Sequence, residues 1–220
     1  MTLPRTKLLD RTVQVRDATI FVIATEGART EPLYFAGFNS SRVKVELLPT
    51  GEDQGSSPDA VLNRLQEFRA KYDLHATDEL WVVIDVDRWG DLKLRRIYRE
   101  AKSRFDVAVS NPCFELWLYL HFGDADLQGD EWQSQVDACK GNLSKAVEQR
   151  FKQRLIAQTG QGSDKSHLAF DRFRCGIPDA IRRARTLDTG SDYLPTFPGT
   201  HVYRLAEKLL ALSPTDLPNP

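Results

Sequence analysis

The chain has 220 residues, 41% apolar and 28% charged, which gives room for one domain with a sizeable core, or a core domain with a helical appendage. Thirty Lys and Arg against 31 Asp and Glu leave a net charge of −1, so there is no bulk attraction to nucleic acid, and no run approaches the roughly 18 apolar residues of a membrane span. Three widely spaced cysteines without a C-x-x-C, and four scattered histidines, argue against a disulfide framework, a zinc cluster or a His-based metal site, and they fit a reducing cytosol.

Residues 1–17, "MTLPRTKLLDRTVQVRD", read as a poorly ordered leader, too polar for a secretory signal, so a cytoplasmic location is expected. "TIFVIAT" (19–25) is rich in β-branched residues and predicts a buried strand ending at Glu26-Gly27. "RTEPLYFAGF" predicts a helix with Thr30 as N-cap and Glu31 and Pro32 in the first turn. "RVKVELL" (42–48) alternates like a second strand, and "PTGEDQGSS" reads as a loop. A helix over 58–73 follows, with Ser57 as cap, Pro58 in the first position, and Val61, Leu62, Leu65, Phe68 and Tyr72 on one face.

"LWVVID" then reads as a strand buried on both faces that runs into Asp85 and Asp87. A charged helix is expected over about 91–104, a fourth strand at "DVAVS", and an apolar helix "CFELWLYLHF" capped by Asn111. This β-α-β-α-β-α-β-α order implies a parallel α/β sheet with right-handed crossovers over 18–122. Beyond Gly123, helices are predicted near 131–139, 142–158, 166–187 and 200–212, with no convincing strand. Residues 123–220 therefore read as a helical region packed on the core.

Candidate chemistry gathers at the carboxyl ends of the strands, where active sites of open α/β sheets collect. If the first and third strands are neighbours, Glu26, Asp85 and Asp87 converge. Hard carboxylate oxygens without nearby His or thiolate suit Mg²⁺ or Mn²⁺. Gly27 would allow a tight backbone turn beside a metal or phosphate. A lone D-x-D also occurs in nucleotide-sugar glycosyltransferases and in haloacid-dehalogenase phosphatases, and it can be purely structural. The phosphatases, however, carry it on their first strand and usually follow it with Thr or Val where this chain has Trp89.

"VIATEG" and "VVIDVD" resemble the Toprim domain of topoisomerases, primases and related nucleases. "TEGARTEPLYFAGF", "ELWVVIDVD" and "SNPCFELWLYLHF", with the closing "PGTHVYRLAEKL", resemble the RloB-like family of bacterial abortive-infection proteins over roughly residues 18–212. The resemblance implies a Toprim-like parallel sheet flanked by helices, with Glu26, Asp85 and Asp87 as acids binding Mg²⁺ or Mn²⁺. Glu115, an acid in the first turn of an apolar helix, is a candidate further ligand or general base, or a charge favoured by the helix dipole. Glu31 reads as an acid behind the ligands or a helix-start charge, and Asn111 more as a cap than a ligand.

Residues 140–185 hold eleven Lys and Arg against four acids, a local surface that could bind phosphates or a pair of helices with solvated basic faces. Lys145, Arg150, Lys152, Arg154, Lys165 and Arg172 are the candidate nucleic-acid contacts. Lys165 lies in "GQGSDKSHLAFDRF", which lacks the G-K-[ST] of a nucleotide-binding P-loop. The resulting expectation is a metal-dependent endonuclease of antiphage defence acting on RNA or DNA, with tRNA or other RNA slightly preferred. Its further partners would be other defence-system proteins or a second copy, and no membrane is involved. The alternative is a non-catalytic Toprim-like sensor or interaction subunit.

Overall fold

The computed structural model describes residues 3–4, 18–50, 55, 57–87, 89–160, 168–189 and 193–212. The expectations for Lys165, and for the leader apart from Leu3–Pro4, lie outside them. The architecture is α/β: a mostly parallel five-stranded sheet flanked by nine helices among the described residues. In chain order the elements are β1 (Leu3–Pro4), β2 (Thr19–Thr25), α1 (Thr30–Ala36), β3 (Val43–Leu48), α2 (Pro58–Lys71), β4 (Tyr72–Asp73), β5 (Glu79–Asp85), α3 (Asp91–Lys102) and β6 (Asp106–Asn111). They continue with α4 (Glu115–Leu120), α5 (Gly129–Ala138), α6 (Leu143–Thr159), α7 (Asp171–Arg174), α8 (Ile177–Leu187), β7 (Gly199–Thr200) and α9 (Val202–Leu212).

The sheet runs β3-β2-β5-β6-β7, with the first four strands parallel and β7 antiparallel at the edge. The chain steps outward from β2 to β3, then returns past β2 to β5. That reversal leaves the carboxyl ends of β2 and β5 side by side, the place where helices diverge to opposite faces and a crevice opens. Strand alternation splits the core in two. Phe21, Ile23 and Val83 face α1, α4 and the C-terminal helices, while Ile20, Val22 and Ile84 face α2 and α3.

Local chemistry explains several boundaries. Ser57 caps α2 by accepting from the Ala60 N–H, and Pro58 occupies the first turn, where its missing N–H costs nothing. Asn142 caps α6 in the same way, accepting from the Lys145 N–H at 2.9 Å, and Gly160 ends that helix at φ 68°. Leu116 to Leu120 of α4 are all buried, as expected of a helix that is apolar all round.

Four expectations need correction. Arg29, not Thr30, occupies the cap position of α1, with no side-chain cap bond. Asn111 does not cap α4, because pairing with Gly199 holds it in β6, and its amide donates to the Pro195 carbonyl instead. The helix expected over 166–187 is split into α7 and α8 around Cys175-Gly176, where a Cβ on Gly176 would meet the His121 carbonyl at 2.8 Å. The C-terminal part also contributes a strand, β7, ahead of its last helix. Among the described residues no helix is long and apolar enough to cross a membrane.

Tyr34 centres the larger core half. Seven rings, from Phe35 to Phe173, lie edge-on with centroids 5.3–6.2 Å away. Its hydroxyl meets His121 Nε2 at 3.1 Å, while His121 Nδ1 lies 2.9 Å from the Trp117 carbonyl. A carbonyl only accepts, so Nδ1 carries the proton and Nε2 accepts from Tyr34. Burial holds the imidazole neutral by lowering its pKa from 6.5 to about 3. The unfolded chain then binds the extra proton between those values, so the stability this group confers is lost as pH falls below about 6.5. Tyr34→Phe would leave Nε2 buried without a donor. We expect about 1–3 kcal/mol of destabilisation in urea unfolding at pH 7.

Candidate acidic site at the strand ends

The two neighbouring strands bring their terminal acids together. Glu26 follows β2 directly, buried, and its N–H donates to the Val83 carbonyl of β5 at 3.2 Å. Its side chain reaches across to β5: Oε2 accepts from the Asp85 N–H at 3.2 Å, and Oε1 accepts from Trp89 Nε1 at 3.0 Å. Behind it, Thr50 Oγ1 donates to the Glu26 carbonyl at 2.8 Å, and Arg64 Nη2 donates to the Thr25 carbonyl at 2.7 Å. The end of β2 is therefore fixed from both sides.

Asp85 closes β5, and Asp87 lies in the following turn, exposed, with its N–H donating to the Pro112 carbonyl at 3.2 Å. Glu115 enters from the first turn of α4. Glu31 enters from the first turn of α1, buried, and accepts from the Gly27 N–H at 2.9 Å. A Cβ on Gly27 would lie 2.0 Å from the Glu31 carboxylate, so the glycine gives that side chain room, while its backbone lies outside the left-handed region and the turn itself does not require it. All five acids line one pocket of about 820 Å³.

The electrostatics follow from that crowding. Burial pushes the Asp85 carboxyl well above the usual range, and Glu31, Glu115, Glu26 and Asp87 push it further. Burial also raises Glu31 to about 7, with Glu115 and Glu26 adding repulsion, while the backbone N–H groups at Glu31 and Gly27 oppose the shift. The Cys113 thiol in the same wall is raised by burial first and then by Glu115 and Asp85, which leaves it protonated and a poor nucleophile.

The donor chemistry fits a hard divalent cation: oxygen ligands, several negative charges and little competing thiolate. As they stand, no three His, Cys, Asp or Glu side chains among the described residues close on a complete metal centre. Glu26, Asp85 and Asp87 would hold the ion.

Gly27, Glu31, Asn111 and Lys145 also line the pocket, whose remaining wall is the α5–α6 turn and the start of α6, from Gly141 to Glu148. The other basic candidates do not. Arg150 pairs with Glu131 at 3.0 Å, Lys152 pairs with Glu148 at 2.8 Å, and Arg154 stacks over Tyr119 while donating to the Asp124 carbonyl. Arg172 is the second residue of α7, also outside the pocket wall. The sequence singles out Glu31 and, in the wall, Lys145, but not the turn from Gly141 to Ser144 that carries it. The signal for Glu31 is its place one helical turn after a strand-end glycine; nothing local marks the Gly141–Ser144 turn.

In open α/β sheets the crevice at such a switch point, outside the carboxyl ends of the strands, is where ligands bind. The chain belongs to the RloB-like protein family, whose model matches residues 21–209. Comparison with curated proteins and with solved structures finds no match.

The acids predict a measurable linkage. A carboxyl that titrates near 4.5 when unfolded and about 7 when folded weakens the fold as pH rises through that window. In EDTA, stability is expected to fall by on the order of 3 kcal/mol between pH 4.5 and 7.5 from Glu31. Glu31→Gln should flatten that slope in thermal or urea unfolding, and millimolar Mg²⁺ should offset it in the wild type.

Proposed function

We propose that this protein is a Mg²⁺- or Mn²⁺-dependent phosphodiesterase, acting as an endonuclease in bacterial antiphage defence. The observation that carries the reading is the gathering of Glu26, Glu31, Asp85, Asp87 and Glu115 on one pocket at the β2–β5 junction. Membership of the RloB-like family supports the defence role. Glu26, Asp85 and Asp87 bind the cation, and Gly27 gives Glu31 room to stand behind them. A cation bound there supplies Lewis acidity toward a phosphodiester and its attacking water.

Glu115 stands at the start of α4, placed to complete the ligand set or to take the proton of the attacking water. Lys145, in the acid-free first turn of α6, brings a positive charge to the same pocket, and Glu148 one turn on is paired with Lys152. A phosphate held between Lys145 and the cation would meet positive charge on two sides. Nucleic acid is the substrate class, with RNA, including tRNA, placed ahead of DNA by the family resemblance alone. Other defence proteins or a second copy are the further partners of this reading, and the cytoplasm is its location.

Cleavage of mixed tRNA, single-stranded RNA, and linear and supercoiled DNA, with Mg²⁺, Mn²⁺ or EDTA, tests it. The wild type is expected to cut only with metal, and Glu26→Ala and Asp85→Ala to lose about 100-fold or more, the scale of removing one preorganised electrostatic group. A wild type that binds Mg²⁺ in calorimetry but cuts nothing would make the pocket a sensor's ligand site. Absence of both cutting and binding would overturn the nuclease reading.

A further inference from the structure

Trp89 stands outside the pocket wall, yet it holds one of the pocket's acids. Its indole Nε1 donates to Glu26 Oε1 at 3.0 Å, while the Asp85 N–H takes the other oxygen. The ring is itself held. Lys93 Nζ lies 4.2 Å from its centroid, and the same ammonium pairs with Asp59 at 3.1 Å, tying α3 to α2. The Trp89 N–H closes a turn onto the Val86 carbonyl at 3.2 Å, inside the segment that carries Asp87. One residue thus joins Glu26 at the end of β2 to the loop leaving β5.

From this geometry we infer that Trp89 is a positioning residue: the Lys93-backed indole fixes the Glu26 carboxylate for cation binding and reports the occupancy of the acid pocket. A carboxylate on a flexible side chain can rotate away from a ligand position, and a rigid N–H donor removes that freedom. Donors that orient metal ligands commonly change affinity by about 10–100-fold when removed. The indole is suited to this task because it donates without accepting and carries no charge to compete with the cation. Lys93 above the ring face adds a favourable contact that holds the ring in place. The sequence hides the role, since Trp89 follows the D-x-D motif as an isolated aromatic with no spacing signal of its own.

The inference rests on the cation-binding reading of the pocket, and its test separates the two. Mg²⁺ alone is titrated into wild type, Trp89→Phe, Lys93→Met and Glu26→Ala, with calorimetry and tryptophan fluorescence as readouts and circular dichroism as a check of folding. Trp89→Phe is expected to raise the Mg²⁺ Kd about tenfold while leaving the metal-free spectrum intact. Lys93→Met should raise it less, and Glu26→Ala should abolish binding. The wild-type minus Trp89→Phe fluorescence should move with Mg²⁺ at the calorimetric Kd. If Trp89→Phe fails to fold, Lys93→Met carries the test, and an unchanged Kd there overturns the inference. A folded Trp89→Phe with wild-type Kd overturns the positioning role alone. A wild type that binds no Mg²⁺ overturns both it and the cation-binding reading.

Discussion

Repulsion among buried carboxylates is the constraint to which the rest of this structure answers. Asp85 has four other acids around it, and burial strips away the water that would screen them. At the floor of the pocket N–H dipoles among the described residues offset part of that repulsion: the Asp85 and Trp89 donors on Glu26, and the Gly27 donor on Glu31. Thr50 and Arg64 brace the chain behind them by holding the carbonyls of Thr25 and Glu26. An acid set braced by so many neighbours is costly to stability, a cost typical of places kept for ligand chemistry.

The sheet makes that crowding possible. Because β2 lies between β3 and β5, the chain places two strand ends together and sends the following helices to opposite faces. α1 and α4 then deliver Glu31 and Glu115 from their first turns to the same spot, where each helix's N-terminal field lowers the cost of a carboxylate. Four elements thus contribute acids while each keeps an ordinary buried core behind it.

Much of this was legible in the sequence. "TIFVIAT" and "LWVVID" are apolar runs that stop at acids, and both the strands and their adjacency follow in the structure. The strand that runs into the two aspartates closes on Asp85, whereas Asp87 lies past the end of β5 in a turn held by the Pro112 carbonyl. Asn111 looked like a cap because Asn before an apolar helix usually is one, but the pairing that holds it comes from Gly199, 88 positions away in the chain numbering. The basic count of 140–185 likewise gave the charge but not its partners. Arg150, Lys152 and Arg154 are engaged by Glu131, Glu148 and Tyr119, and only Lys145 among the described candidates reaches the pocket. Non-local contacts of this kind leave no mark on local spacing.

The wall built by the start of α6 has a consequence for assembly. The five acids at the strand ends and helix starts are specified by residues 26 to 115, whereas the wall that faces them, with Lys145 and a sixth acid, Glu148, comes from residues 141 to 148. A ribosome that has made the whole sheet apart from its last edge strand has therefore made an open trough. The enclosed pocket exists only after α6 has docked against α4. Whatever the pocket does, it acquires its shape late, and shortening the chain ahead of residue 141 would leave the charges in place but nothing to press a ligand against them.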